Sequence, residues 1–154
     1  MFNHALREIA SMIAAIWIGL IIGVSFYAAP IKFTAEGVGL DALLLIGQVT
    51  FQNFTWVEFG VFGILLLTAL SHLNKSAFIC MGLLAVSLLV QKLVILPPLD
   101  VDLNNVVSGQ PRPSGYLHIL YGVLDLVKMS LLIIISLLLR TNEQPAEVTE
   151  VLAD

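Results

Sequence analysis

Charge is scarce in this chain. Aspartate, glutamate, lysine and arginine make up 12% of its 154 residues, about half the share found in a water-soluble domain. Those few charges sum to a formal −4, which argues against the basic face that nucleic-acid binding needs. Cysteine occurs once, as Cys80 inside an apolar run. A single thiol excludes an intrachain disulfide, and a lone buried cysteine usually behaves as a small hydrophobe. His4, His72 and His118 are scattered, so no Cys/His cluster has metal-ligand spacing. No glycine-rich phosphate loop is present. Ser114 and His118 fall one helical turn apart beside carboxylates, but neither elbow glycines nor oxyanion donors accompany them, which argues against nucleophilic catalysis. The expectation is a non-enzymatic protein with no catalytic residues, no metal and no cofactor.

What the chain has in abundance is apolar length. Hydrophobic residues reach 58% and the mean hydropathy is +0.97. Four apolar runs stand out, at about residues 9–29, 54–71, 76–96 and 115–139. A run of about 20 residues at about 1.5 Å each crosses a hydrocarbon core of about 30 Å. The first run exceeds the roughly 7–15 apolar residues of a signal peptide, and Pro30 directly after Ala29 makes cleavage there unfavourable, so it reads as a retained span. His72, Leu73, Asn74 and Lys75 make a tight turn, which sets the second and third runs antiparallel. Pro97 and Pro98 lack amide protons and are expected to stop the third helix. Ser114 is placed to cap the fourth, and Arg140 closes it.

The connection from Ile31 to Asn53 carries Leu40, Leu43, Leu44, Val49 and Phe51, too many apolar groups for a solvated loop. A short helix, lying in the interface plane or folded back onto the bundle, is expected there. The segment from Asp100 to Arg112 is polar and reads as exposed. Glu143, Glu147 and Glu150 beside Pro145 mark residues 141–154 as an acidic, partly disordered tail. The expected fold is all-α: a polytopic membrane protein forming a single transmembrane domain over residues 1–140. Its four transmembrane helices form an antiparallel bundle, with the interfacial helix after the first span. Arg7, Lys75 and Arg140 on the side of the termini, against Lys32 and Arg112 opposite, favour cytoplasmic termini. Tyr27, Trp56 and Tyr116 sit at helix ends, where aromatic rings with a polar handle meet the headgroups.

Two patterns carry functional information. In the first run Ser11, Ala15, Gly19 and Gly23 recur every four residues, a small-residue stripe along which another helix can approach closely. It serves either packing within the chain or contact with a second copy or another membrane protein. In the fourth run, at about 100° per residue, Ser114, His118, Tyr121, Asp125 and Lys128 share a stripe about 80° wide, continued by Ser136. Asp125 and Lys128 fall about 15 and 20 Å along that helix. Each charge at such depth costs at least about 2.5–3.5 kcal/mol, so the stripe must face inward. Glu58, Gln91 and Lys92 on the other helices supply partners, and Gln91 shares a face with Ser76, Cys80 and Ser87. The expected polar cluster is therefore Glu58, Gln91, Lys92, His118, Tyr121, Asp125 and Lys128, opening on the side opposite the termini.

Three readings fit that cluster. It can be closed ion pairs that fix helix register, Asp125 with Lys128 and Glu58 with Lys92 or His118. It can be a protonatable relay in a proton- or ion-linked transporter or channel. It can also be a lipid-headgroup or ligand pocket. Haem held by two histidines would need both at one depth, whereas His72 and His118 lie at opposite faces, which leaves a haem- or redox-linked protein as a remote alternative. The leading expectation is an accessory or assembly subunit whose partners are the bilayer and either its own copies or another membrane protein.

Ala29-Pro30-Ile31-Lys32-Phe33, Thr50-Phe51, Glu58, Pro113-Ser114, Leu117-His118, Tyr121 and the Asp125/Lys128 pair together resemble a family of small bacterial four-helix inner-membrane proteins. The resemblance covers about residues 12–139. It implies the four-helix architecture and an inner-membrane location, and it implies no activity.

Overall fold

A computed structural model describes residues 2–70, 73–110 and 116–141. His72, Arg112, Ser114 and the tail beyond residue 141, to which the sequence assigns a turn, a charge, a cap and a solvated end, lie outside the described residues. Within them the chain is helical and contains no strand. Four helical stretches are long and apolar enough to cross a membrane: His4–Thr34, Leu40–Ala69, Lys75–Val107 and Tyr116–Arg140.

The first stretch is built from α1 (Phe2–Ile21), a π-helical segment (Ile22–Ala28), α2 (Ala29–Ile31) and a 3-10 turn (Lys32–Thr34). The second is one uninterrupted helix, α3 (Leu40–Ala69). The third joins α4 (Lys75–Val90), a second π-helical segment (Gln91–Ile95) and α5 (Leu96–Val107). The last is α6 (Tyr116–Thr141). α6 packs against both α1 and α4, α1 packs on α3, and α5 on α3.

Two expectations from the sequence are corrected here. The prolines do not end their helices. Pro30 and Pro97 each follow a π-helical segment, and the carbonyl four residues back, with which a proline ring collides, lies in that widened turn, at Phe26 and Leu93 respectively. The third stretch therefore runs through Pro97 and Pro98 to Val107, turning most of the segment expected as a polar loop into helix. It ends instead at Gly109, whose φ of +82° lies in the left-handed region that a side chain disfavours. Gly109 donates to the Val106 carbonyl and Gln110 to the Asn105 carbonyl, at 3.0 and 2.9 Å, the paired bonds of a Schellman stop.

The second correction concerns the start of α3. Helix begins at Leu40, just after Gly39, and continues unbroken past residue 54, so residues 40–53 belong to the same helix as the second span. The polar residues just before and after residue 54 are absorbed by the helix itself. Thr50 donates to the Ile46 carbonyl, Asn53 to Val49 and Thr55 to Phe51, at 2.7, 2.8 and 2.9 Å. Each of these three side chains finds its partner one turn back on its own helix. By contrast α4 starts where expected, with the Asn74 side chain accepting from the Ala77 amide at 2.7 Å.

The interior is layered. One apolar layer joins Ala14, Trp17, Leu65, Leu84, Leu88, Leu132 and Ile135. A second joins Leu44, Phe51, Ile95, Leu99, Leu117 and Tyr121. Along α3, the α4–α5 stretch and α6 alike, the residues between the two layers are polar: Glu58, Gln91, and Asp125 with Lys128. The outer faces are apolar, with Ile64, Leu67, Phe78, Leu93, Ile119 and Leu137 all more than half exposed, as lipid-facing side chains would be.

Candidate functional site

On α6 the buried positions Leu117, Tyr121, Asp125, Lys128, Leu132, Ile135 and Leu139 recur at spacings of three and four, the spacing of one helix face. This places Asp125 and Lys128 inward together. Glu58 comes from α3 and Gln91 from the turn where α4 passes into the second π-helical segment. All four side chains are fully buried.

Lys128 is the centre of the cluster. Its ammonium bonds to Glu58 Oε1 and to Asp125 Oδ1, the latter at 2.8 Å. Gln91 Nε2 donates to the same Asp125 oxygen at 2.8 Å and reaches the Tyr121 carbonyl at 3.3 Å. Trp17 of α1 donates its indole N–H to Glu58 Oε1 at 3.1 Å. One polar knot thus ties together all four helical stretches. Buried charges of this kind stabilise little in net terms, because desolvation offsets much of the attraction, but they fix register and orientation.

The knot is not balanced. Two carboxylates share one ammonium, so the formal charge is −1 with every group ionised. Glu58 Oε2, Asp125 Oδ2 and Gln91 Oε1 have no hydrogen-bond partner. The Tyr121 hydroxyl lies near Thr55 yet outside bonding geometry, and it too has no partner. A single proton on either carboxyl would neutralise the group and supply one missing donor. That is the chemistry the arrangement can perform.

Of the residues singled out from sequence, Glu58, Gln91, Asp125 and Lys128 come together, with Tyr121 packed alongside. Lys92 does not join them: its ammonium lies over the Trp56 ring, 4.9 Å from the centroid, on the outside of the helix. Adjacent residues on a helix point about 100° apart, so burying Gln91 turns Lys92 outward. His118 is exposed and stands edge-on to Phe51, with ring centroids 6.0 Å apart. Neither pairs with Glu58, whose cation is Lys128. Sequence reasoning missed Trp17 as a member. The available signal was that a buried indole N–H needs an acceptor, and Glu58 of the neighbouring span can accept more than the one bond that its expected pairing with Lys92 or His118 used.

The small-residue stripe of α1 divides. Ser11 is buried, whereas Ala15, Gly19 and Gly23 are exposed; the core face is formed by Ala10, Ala14, Trp17 and Ile21. A side chain added at Gly19 or Gly23 would meet nothing within 4 Å. This face is not used for packing within the described chain. Among the described residues no group of three or more His, Cys, Asp or Glu side chains is placed to hold a metal ion. Comparison with protein-family models, with curated proteins and with solved structures finds no match to this chain.

Proposed function

We propose that this protein is a non-enzymatic accessory or assembly subunit of a membrane complex, docking on its own copies or on another membrane protein through the outer face of α1. The observation that supports the reading is the exposure of Ala15, Gly19 and Gly23 beside a helix whose opposite face is committed to the core. In lipid, burying one apolar side chain against another gains little, so close backbone approach over small residues is what holds helices together. A shallow groove of about 130 Å³ between Ala15 and Ile18 on one side and Ile133, Ser136 and Leu137 on the other continues that face onto α6.

In this proposal the four stretches cross the bilayer as an antiparallel bundle with both termini cytoplasmic. α3, at 30 residues, is about 45 Å long against a core of about 30 Å, so its N-terminal turns serve as the interfacial segment. The inner-membrane placement follows the resemblance to small bacterial four-helix proteins. The test is Gly19→Leu with Gly23→Leu, followed by the mass of the native assembly in nanodiscs. Because both positions open on empty space, the variants should fold, and the assembly should fall apart. An assembly of unchanged size with both leucines in place would sink the proposal.

A second reading, proton- or ion-linked transport, draws support from the surplus carboxylate in the buried knot. Against it stands the full burial of Asp125 and Lys128 among the described residues. Proton uptake by liposomes carrying the wild type and Asp125→Asn decides it: uptake lost in the variant supports transport, and none in either rejects it.

A further inference from the structure

Outside the knot, one further site is built between the end of the first stretch and the start of α6. It is a half-open cleft of about 360 Å³ whose walls include Lys32, Phe33, Phe51, His118, Tyr121 and Gly122. The π-helical segment contributes Ser25 and Phe26 to the same cleft; π turns widen a helix locally and recur at functional sites.

The electrostatics of this cleft point to one class of occupant. Lys32 is half-buried, its ammonium 5.0 Å from the Phe33 centroid. It lies so close to Gly47 that a Cβ there would sit 1.9 Å from Nζ. Among the described residues no carboxylate forms an ion pair with Lys32; the acidic groups Glu58 and Asp125 pair with Lys128 instead. Lys92 lies over Trp56 instead. His118 is close enough to feel the Lys32 charge and offers a second polar edge. The Ser25 hydroxyl has no hydrogen-bond partner. A cation, an imidazole and an unpartnered hydroxyl thus line one cavity whose other walls are mostly apolar, Phe26, Phe33 and Phe51 among them.

We infer that the cleft binds an amphiphile from the bilayer through an anionic phosphate headgroup. Lys32 supplies the charge, His118 and Ser25 the hydrogen bonds, and Phe26 and Phe33, both partly exposed, a surface for the acyl chain. The position fits this source. Lys32 lies where the first stretch ends and His118 where the last begins, at the level where headgroups meet the hydrocarbon. A free anion would gain nothing from the aromatic walls. The inference is independent of the α1 docking face, which lies on Ala15, Gly19 and Gly23.

Native mass spectrometry of the full chain, released from micelles containing phosphatidylglycerol or phosphatidylcholine, tests it. Two variants separate charge from shape. Lys32→Gln removes the cation and keeps the cavity. Gly122→Leu fills the cleft from a position where an added Cβ meets nothing within 4 Å and keeps the cation. The wild type should retain phosphatidylglycerol in preference to phosphatidylcholine; Lys32→Gln should lose about tenfold in affinity, as expected for one charge-assisted contact, and Gly122→Leu should bind less than the wild type because the cavity is filled. Lys92→Gln should bind like the wild type. Equal retention of the two lipids, or undiminished binding by both Lys32→Gln and Gly122→Leu, would overturn the inference. So would full displacement of the lipid by inorganic phosphate alone, which would make the occupant a free anion.

Discussion

Replacing Lys128 by methionine tests the logic of the buried knot most directly. Methionine keeps nearly the same length and removes the charge, leaving Glu58 and Asp125 in a fully buried site with no cation. At the 2.8 Å separation of Lys128 and Asp125, the gross attraction at an effective dielectric of about 20 is about 6 kcal/mol. Most of that is offset by desolvation, yet removing one partner alone leaves the other charge uncompensated and costs about 3–5 kcal/mol. Asp125→Asn acts in the opposite sense. It leaves Glu58 and Lys128 as a balanced pair, and the asparagine oxygen can still accept from Gln91 and Lys128. We expect a change of about 1 kcal/mol or less for it, the scale of a neutral hydrogen bond. Equilibrium unfolding in mixed micelles, followed by circular dichroism, reads both. The reasoning fails if Lys128→Met unfolds with the wild type, or if Asp125→Asn is destabilised as much as Lys128→Met.

Trp17→Phe removes the indole donor to Glu58 and should cost about 2 kcal/mol, as a hydrogen bond to a charged group does. In a Glu58→Leu background, where no acceptor remains, the same substitution should cost measurably less in the double-mutant cycle; an equal penalty in both backgrounds would assign the effect to packing alone. Gly47→Ala introduces a Cβ that displaces Lys32 Nζ, the far end of a flexible side chain. Stability should move by about 0.5 kcal/mol or less, while Lys32 should react faster with a water-soluble acylating reagent. Unchanged reactivity would show that the ammonium is not lodged against Gly47.

Much of this architecture was legible in advance. The third helix begins within a residue of where hydropathy places it, at Lys75, and the fourth is helical from its first described residue, Tyr116, because apolar runs of membrane length have few alternatives. The inward direction of Asp125 and Lys128 followed from helical geometry and the expense of bare charge in hydrocarbon. Errors arose where a local signal had two physical outcomes. Thr50, Gln52 and Asn53 fall before the expected start of the second span, but Thr50 and Asn53 bond back to their own helix, and Gln52 donates to Asp100 of α5 at 2.7 Å. A proline reads as a stop, but a π turn before it relieves the clash. Gln91 and Lys92 are neighbours, and only one can face in.

Composition and periodicity alone determined that four helices of membrane length exist and that the last carries an inward polar stripe, since both follow from residue type and the period of the helix. Partner choice needed the tertiary structure. Lys128 rather than Lys92 or His118 answers Glu58, Trp17 joins them, and the glycines of α1 face outward. Each depends on how a helix is rotated about its axis, and rotation is set jointly by every neighbour it packs against, so no single segment of sequence contains it.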